Sequence, residues 1–215
     1  MKNIPRIHTE FSISRDFISN PLPNLERNSG YCFFSANTGE GEIIKKRYDR
    51  CAVMIRDYDE LRGLTIRGCG INYWSDCWVN EKGEVIDPLI ESLNLQNNQL
   101  ISLNINQTRR QLWLLDLSNN PQLASVSVIS APNLAVLKLN NINFIESLQV
   151  GRDSNSLMHV QITNSAIASN VISNLKFPQK PGILDLTGSV INLSVEDAEV
   201  ISQLRVASWT VRGVD

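Results

Sequence analysis

Two histidines, four cysteines and a scatter of carboxylates are the groups in this 215-residue chain that could support a reaction. A nucleophilic Ser or Cys usually needs a base beside it, and only His8 and His159 are available for that role. Neither a G-x-S-x-G nor an H-E-x-x-H run occurs. The cysteines, Cys32, Cys51, Cys69 and Cys77, all fall in the first 80 residues and none forms a C-x-x-C pair. Zinc spacings are therefore missing, and no metal or cofactor is expected. Buried thiols in a reducing compartment are the expectation, with a Cys69–Cys77 or Cys32–Cys51 disulfide open if the protein works outside a cell. The glycines of Asn37-Thr-Gly-Glu-Gly41 lack the G-x-x-x-x-G-K-[ST] context of a phosphate loop, so they read as a hairpin turn.

Bulk properties narrow the classes further. Basic and acidic residues number 20 and 22, a net charge of −2, which leaves no electrostatic footprint for nucleic acid or an anionic membrane. A hydrophobic fraction of 42% is that of an ordinary globular protein. No run approaches the ~20 apolar residues of a spanning helix, so no membrane insertion is expected. The start, Met1-Lys-Asn-Ile-Pro-Arg6, has no apolar stretch behind it, and nothing there reads as a secretory signal.

The elements that position these groups come from a repeat. Residues 90–105 place Ile90, Leu93, Leu95, Asn98, Leu100, Leu103 and Ile105 in an I-x-x-L-x-L-x-x-N-x-L-x-x-L-x-I pattern. Leu112, Leu115, Leu117, Asn120, Leu123, Val126 and Val128 repeat it. Leu134, Leu137, Leu139, Ile142, Ile145, Leu148 and Val150 follow, then Leu157, Val160, Ile162, Ser165 and Ile167, then Leu184, Leu186, Ser189 and Ile191. Upstream, Leu61, Leu64, Ile66, Cys69 and Ile71 fit the same template. Equivalent positions are 64, 93, 115, 137, 160 and 184, separated by 29, 22, 22, 23 and 24 residues. Constant spacing of this length marks a solenoid in which each L-x-L is a short strand, its alternate side chains buried against the coil before and after.

Each repeat holds two strand-like pairs, such as Leu93/Leu95 and Leu103/Ile105, only 10–12 residues apart. That leaves no room for a helix on the back face, so a second strand or extended segment is expected there. The slot of Cys69, Asn98 and Asn120 lies where the chain leaves the strand, and an amide there can bond backbone groups of the adjacent coil. Ile142, Ser165 and Ser189 depart from that residue type, so the ladder is expected to weaken in later coils.

The run L-L-D-L-S-N-N-P-Q-L at 114–123 resembles the short bacterial class of leucine-rich repeats, LxxLxLxxNxLxxLDLxxN, and the resemblance covers residues 61–193, roughly 60% of the chain. It implies a mainly β leucine-rich-repeat solenoid with parallel β-sheets. Residues 1–60 lack the repeat and read as a β-rich cap or arm. Ile7–Ile13, Tyr31–Ser35, Glu42–Tyr48 and Cys51–Asp57 are its strands, with Asn20–Pro23 as an extended linker. Residues 72–88 read as an inserted loop whose Trp74 and Trp78 either anchor an interface or fold back over the cap. In 194–215, Ser194-Val-Glu-Asp197 resembles a capping box before a helix of about 12 residues with Ala198, Ile201, Leu204 and Arg205 at helical spacing. A strand at Trp209–Val211 follows, and the whole segment is expected to form a C-terminal helical cap. The ending I-L-D-L-T-G…L-S-V-E-D-A-E-V-I-S-Q-L…W-T-V resembles the ends of repeat segments in structural proteins of tailed bacteriophages.

In this register the chemistry-bearing groups land on the outward side of the strands. One column is Thr65, Asn94, Asp116, Lys138, Gln161 and Asp185; the next is Arg67, Gln96, Ser118, Asn140, Thr163 and Thr187. His159 occupies an outward slot too. Asp116 and Asp185 fall roughly 14 Å apart, too far for paired acid–base work. A polar continuous face suits wet, hydrogen-bonded contact with another protein. Arg67, Asn94, Gln96, Asp116, Lys138, Asn140, His159 and Gln161 are its candidate binding residues. The expected function is non-catalytic: a structural or adhesive component of a larger assembly such as a phage virion, at the tail, baseplate or capsid surface. Its partners would be other proteins, copies of itself or virion neighbours. The alternative is a free, cytoplasmic bacterial leucine-rich-repeat protein that binds a host or partner protein.

Overall fold

The computed structural model describes residues 90–105, 109–150 and 156–214, and upstream of them six strands by their backbone pairing, with the side chain of Trp74. The upstream strands are β1 (Glu10–Ser14), β2 (Cys32–Ser35), β3 (Glu42–Lys46), β4 (Cys51–Arg56), β5 (Gly63–Arg67) and β6 (Trp74–Val79). Five two-strand turns follow. They are β7 (Ser92–Asn94) with β8 (Ser102–Ile105), β9 (Leu114–Asp116) with β10 (Ser125–Val128), β11 (Val136–Lys138) with β12 (Ser147–Val150), β13 (His159–Gln161) with β14 (Ala166–Ile167), and β15 (Ile183–Asp185) with β16 (Val190–Ile191). Helix α1 (Val195–Val206) and strand β17 (Thr210–Arg212) end the chain.

The first strands of the turns form one eight-stranded parallel sheet, wall A, in the order β1-β5-β7-β9-β11-β13-β15-β17. The second strands form the opposite wall B, with β8, β10 and β12 in one parallel sheet and β14 beside β16 in another. The molecule is thus a mainly β, parallel-sheet solenoid. The leucine spacing specified its register: Leu64 pairs with Leu93, Leu93 with Leu115, Leu115 with Leu137, Leu137 with Val160, and Val160 with Leu184. The same column continues to Phe11 at one end and Val211 at the other, where no repeat was read. Wall B is equally regular, with Leu103, Val126 and Leu148 in line and Ile105, Val128 and Val150 beside them.

Burial follows from that stacking. In the five turns, Leu93, Leu95, Leu115, Leu117, Leu137, Leu139, Val160, Ile162, Leu184 and Leu186 are all at most 3% exposed, and they meet the wall B residues in one continuous core. Each such side chain removes about 1.5–3 kcal/mol worth of apolar surface from water.

Upstream, parallel pairing already joins β1 to β5 and β2 to β4 to β6, while β2 and β3 form the expected antiparallel hairpin. Cys32 and Cys51 are register partners on neighbouring strands. Residues 74–79, read from sequence as part of a loop, form strand β6 instead. Its Trp, Cys and Val residues suit a strand once β4 supplies a partner. Asn20–Pro23, the Asn37–Gly41 turn, Cys69, Ile71 and 80–83 lie outside the described residues.

Polar groups at the strand exits are satisfied in two ways. Asn97, Asn119, Asn141 and Asn164 take positive φ of 57°, 59°, 56° and 50°, and Gly188 and Gly213 continue the series at 72° and 82°. Asn and Gly are the residues that tolerate this left-handed geometry, which turns the chain off wall A once per coil. One residue later sits the inward amide. Asn120 Nδ2 donates to the Leu95 and Leu117 carbonyls at 3.0 and 2.8 Å, and its Oδ1 accepts from Leu100 N at 3.1 Å. The ladder thins in the later coils, as expected, from three bonds at Asn120 to one donated and one accepted bond at each serine, but it is not lost. Ser165 Oγ accepts from Ile142 N at 3.1 Å and donates toward the Leu139 carbonyl, and Ser189 Oγ accepts from Ser165 N while reaching the Ile162 carbonyl at 2.7 Å. A hydroxyl has one donor and two acceptor positions, enough to bridge neighbouring coils. Among the described residues of this slot Ile142 lacks such a group, and Ser165 bonds the Ile142 amide and the Leu139 carbonyl beside it.

Helix α1 occupies the last return leg from wall B to wall A. Ser194 is its N-cap in the expected capping box with Asp197. The buried face is Asp197, Ile201 and Leu204, so Asp197 takes the place expected of Ala198. Its carboxylate accepts from Asn170 N at 2.6 Å and Ser173 N at 2.8 Å, which ties the helix to the preceding return leg. Beyond it, Trp209 packs edge-on to Phe177 at 5.1 Å and lies where a Cβ on Gly182 would come within 2.6 Å of its ring.

Leu117→Asp places a charge in a fully buried slot, so it should cost more than the ~2–5 kcal/mol of a core Leu→Ala change and unfold the middle coils. Circular dichroism melting tests this, and an unchanged midpoint would overturn the register. Asn120→Ala strands three backbone partners and should cost about 2–4 kcal/mol in a urea titration, well above the ~1 kcal/mol expected for exposed Asn141→Ala.

Candidate interaction face

The outward side of wall A carries three columns that the strand register defines. Beside the inward leucines run Asn94, Asp116, Lys138, Gln161, Asp185 and Arg212 in one line. The column after it contains Gln96, Ser118, Asn140, Thr163 and Thr187, and most of its hydrogen-bonding capacity is already used. Gln96 N donates to Asn94 Oδ1 at 3.1 Å, and Gln96 Nε2 donates to Asp116. Ser118 N donates to the other Asp116 oxygen, and Asn140 N reaches Ser118 Oγ at 3.3 Å. Thr163 donates through both N and Oγ1 to Asn140 Oδ1, at 3.1 and 2.9 Å. These side chains tie the strand ends from β7 through β13 to one another, so the polarity read as a free recognition surface is partly internal.

At the edge of this face, Asn141 Nδ2 donates to Asn119 Oδ1 at 2.6 Å and Asn164 Nδ2 to Asn141 Oδ1 at 3.3 Å. The amide ladder there is exposed, in contrast to the buried one a residue later.

The third column was not singled out from sequence. It runs Ser92, Leu114, Val136, His159, Ile183 and Thr210, on the other side of the inward leucines. Leu114, Val136 and Ile183 are half-buried, and exposed Trp113 and Met158 lie next to it along the chain. The signal was present in the slot before each inward leucine, which period-2 alternation also sends outward. The face therefore combines an apolar strip, a charged line and a polar ladder.

Candidate residues distribute as follows. Asn94, Lys138, Gln161 and His159 lie half-buried on the face, with Asn140 in the polar ladder. Asp116 is 3% exposed, covered in part by Gln96. Arg67 and Thr65 lie in β5, paired with Ser14 and Ser12, and their side chains are outside the described residues. Trp74 is not an exposed anchor: it is 1% exposed and belongs to the core. Packing its indole into the solenoid buries far more apolar area than a loop position would. Trp78 sits in β6, its side chain outside the described residues.

Asp116 and Asp185 are separated by β11 and β13, in keeping with the roughly 14 Å of three strand spacings. Burial pushes the Asp185 carboxyl up. The Thr187 hydroxyl at 2.6 Å and amide at 3.1 Å, the Arg212 guanidinium at 3.9 Å and the nearby His159 outweigh it and hold the group below its ordinary value. Among the described residues, no cluster of three or more His, Cys, Asp or Glu could hold a metal ion, and no helix is long and apolar enough to cross a membrane.

Comparison with protein-family models, with curated protein sequences and with solved structures finds no match to this chain.

The depressed Asp185 pKa has a definite sign. The carboxylate contributes stability above its unfolded pKa of ~4, and the contribution is lost as pH falls through the lower folded value. Thr187→Val removes the hydroxyl donor, so the Asp185 titration followed by carboxyl NMR should move upward toward ~4. An unshifted midpoint would show that Thr187 does not set it.

Proposed function

We propose that this chain is a solenoid of the leucine-rich-repeat type that works by binding protein and carries out no reaction. The observation behind it is the continuous outward face of wall A, where an apolar strip lies beside alternating charges on a rigid parallel sheet. Apolar contact supplies affinity and charge placement supplies register, the two things a protein interface needs. The strands present these side chains at fixed ~4.8 Å intervals, so little ordering cost remains on binding.

The segments at either end act as caps in this reading. Helix α1, tied by Asp197 to the preceding return leg, covers the last turn, and the 1–60 segment does the same at the other end. An open solenoid end would expose core and unpaired strand edges. The chain serves as a component of a larger assembly, and the resemblance of its C-terminal run to phage structural repeats supports a virion as the setting.

A photo-reactive amino acid at position 161 on wall A, compared with position 127 on wall B, tests the contact face in cells that make the protein. Strong adducts to protein from 161 and few from 127 are expected, with mass spectrometry identifying structural proteins of an assembly or the chain itself. No adduct from 161 would overturn the face. Adducts only to a non-structural host protein would overturn the assembly role in favour of a free binding protein.

A further inference from the structure

We propose that wall A is a self-complementary face through which two copies of this chain pack, about a two-fold axis running along β13. The inference rests on wall A being the contact face, and it names the occupant.

Such an axis keeps strand direction and reverses the order of coils, so each outward column meets the same column of the other copy, read backwards. In the charged line the order is Asp116, Lys138, Gln161, Asp185, Arg212, one residue per successive strand. Reversal about Gln161 sets Lys138 against Asp185 of the second copy and Asp116 against its Arg212. Symmetry makes each of these pairs twice. In the neighbouring column the same reversal sets Val136 against Ile183 and Leu114 against Thr210, with His159 on the axis. Exposed Met158 meets its own copy at the rim.

The charges also reject the neighbouring registers. An axis on β11 opposes Lys138 to itself, and one on β15 opposes Asp185 to itself. Midway between β11 and β13 it sets Asp116 against Asp185; midway between β13 and β15 it sets Lys138 against Arg212. An axis along the solenoid lays the charged line on the apolar strip when it passes between them, and opposes each charge to itself when it lies on the charged line. Like-charge and charge-on-apolar contacts are strongly disfavoured at an interface. Of these registers only the β13 one joins opposite charges and apolar to apolar. An axis midway between β9 and β11 would also pair Asp116 with Lys138 and Leu114 with Val136, but it relies on Asp116, which is 3% exposed, and sets Asp185 and Arg212 against the uncharged Thr65 and Ser12. Asp116 lies beneath Gln96, so the Lys138–Asp185 pairs carry most of the selectivity.

Five strands at ~4.8 Å and three outward columns at about 6.6 Å give a patch of roughly 475 Å² per copy, about 950 Å² in total. That is the size of a weak, transient interface, so association in the range of tens to hundreds of micromolar is expected.

Sedimentation equilibrium of the full chain from about 1 µM to 1 mM tests this. Wild type should pass from monomer to dimer. Lys138→Glu and Asp185→Lys should each weaken the dimer by about tenfold or more, since each change places like charges together twice. An equimolar mixture of the two variant chains should dimerise again, because each charge then meets its opposite. Gln161→Lys, which meets itself on the axis, should also abolish the dimer and replaces either variant that fails to fold. A wild type that stays monomeric at 1 mM, variants that dimerise normally, or a mixture that stays monomeric would each overturn the proposal. A monomeric chain that still cross-links another protein from position 161 overturns the dimer alone; absence of any such cross-link overturns the contact face as well.

Discussion

The structure depends on one constraint, the register of parallel pairing between successive coils. Side chains alternate along a strand with period two, so a slip of one residue would turn every inward leucine of that coil toward solvent. Leu93, Leu115, Leu137 and Leu184 stand in one column because each is held by the coil before it and holds the coil after it. The apolar column and the backbone ladder therefore enforce the same alignment. Everything on the outer side of wall A inherits its position from that alignment, including the order of its charges.

The second requirement is to leave each strand without orphaning buried backbone groups. The chain meets it with a pair of adjacent residues, a left-handed Asn or Gly followed by an inward side chain that can donate and accept. Asn119 with Asn120 shows the pair in full. Asn164 with Ser165 and Gly188 with Ser189 keep the same division of labour with smaller side chains. A hydroxyl can replace the amide in this slot, and at Ile142, which has neither, Ser165 of the next coil bonds the backbone beside it. Asp197 extends the same logic to the last return leg, where a carboxylate in the helix's first turn accepts backbone donors from the turn beside it. Burial pushes that carboxyl up, but Ser173, Ser194 and Asn170 donate to it and hold it below the usual range.

These demands shape the outer face. The polar column nearest the strand exits is drawn into links between coils, so Asn140 and Thr163 serve the fold before they could serve a partner. Contact chemistry is left to the strip on the other side, with Leu114, Val136 and Ile183, and to the line of Lys138, Gln161, Asp185 and Arg212 between them. A face of this kind would suit a partner with a matching apolar band and an opposed charge order, which is the basis for proposing that two copies pair through it.

Much of this was legible in the residues. The 22- to 29-residue spacing specified the register of wall A from Leu64 to Leu184 and the two strands per turn, and the capping box specified the helix opening at Ser194, because period and capping chemistry are local properties. The exposed asparagine ladder could also have been read, since Asn or Gly recurs just before the inward amide or hydroxyl slot. Tertiary structure alone decided that Trp74 lies in a core strand, since a short aromatic run becomes a strand only where β4 offers an edge. It decided that Ser165 and Ser189 continue the ladder, which depends on oxygen-to-nitrogen distances between coils. It also decided that Phe11 and Val211 extend the leucine column, because pairing with β5 and β15 recruits segments that carry no repeat of their own.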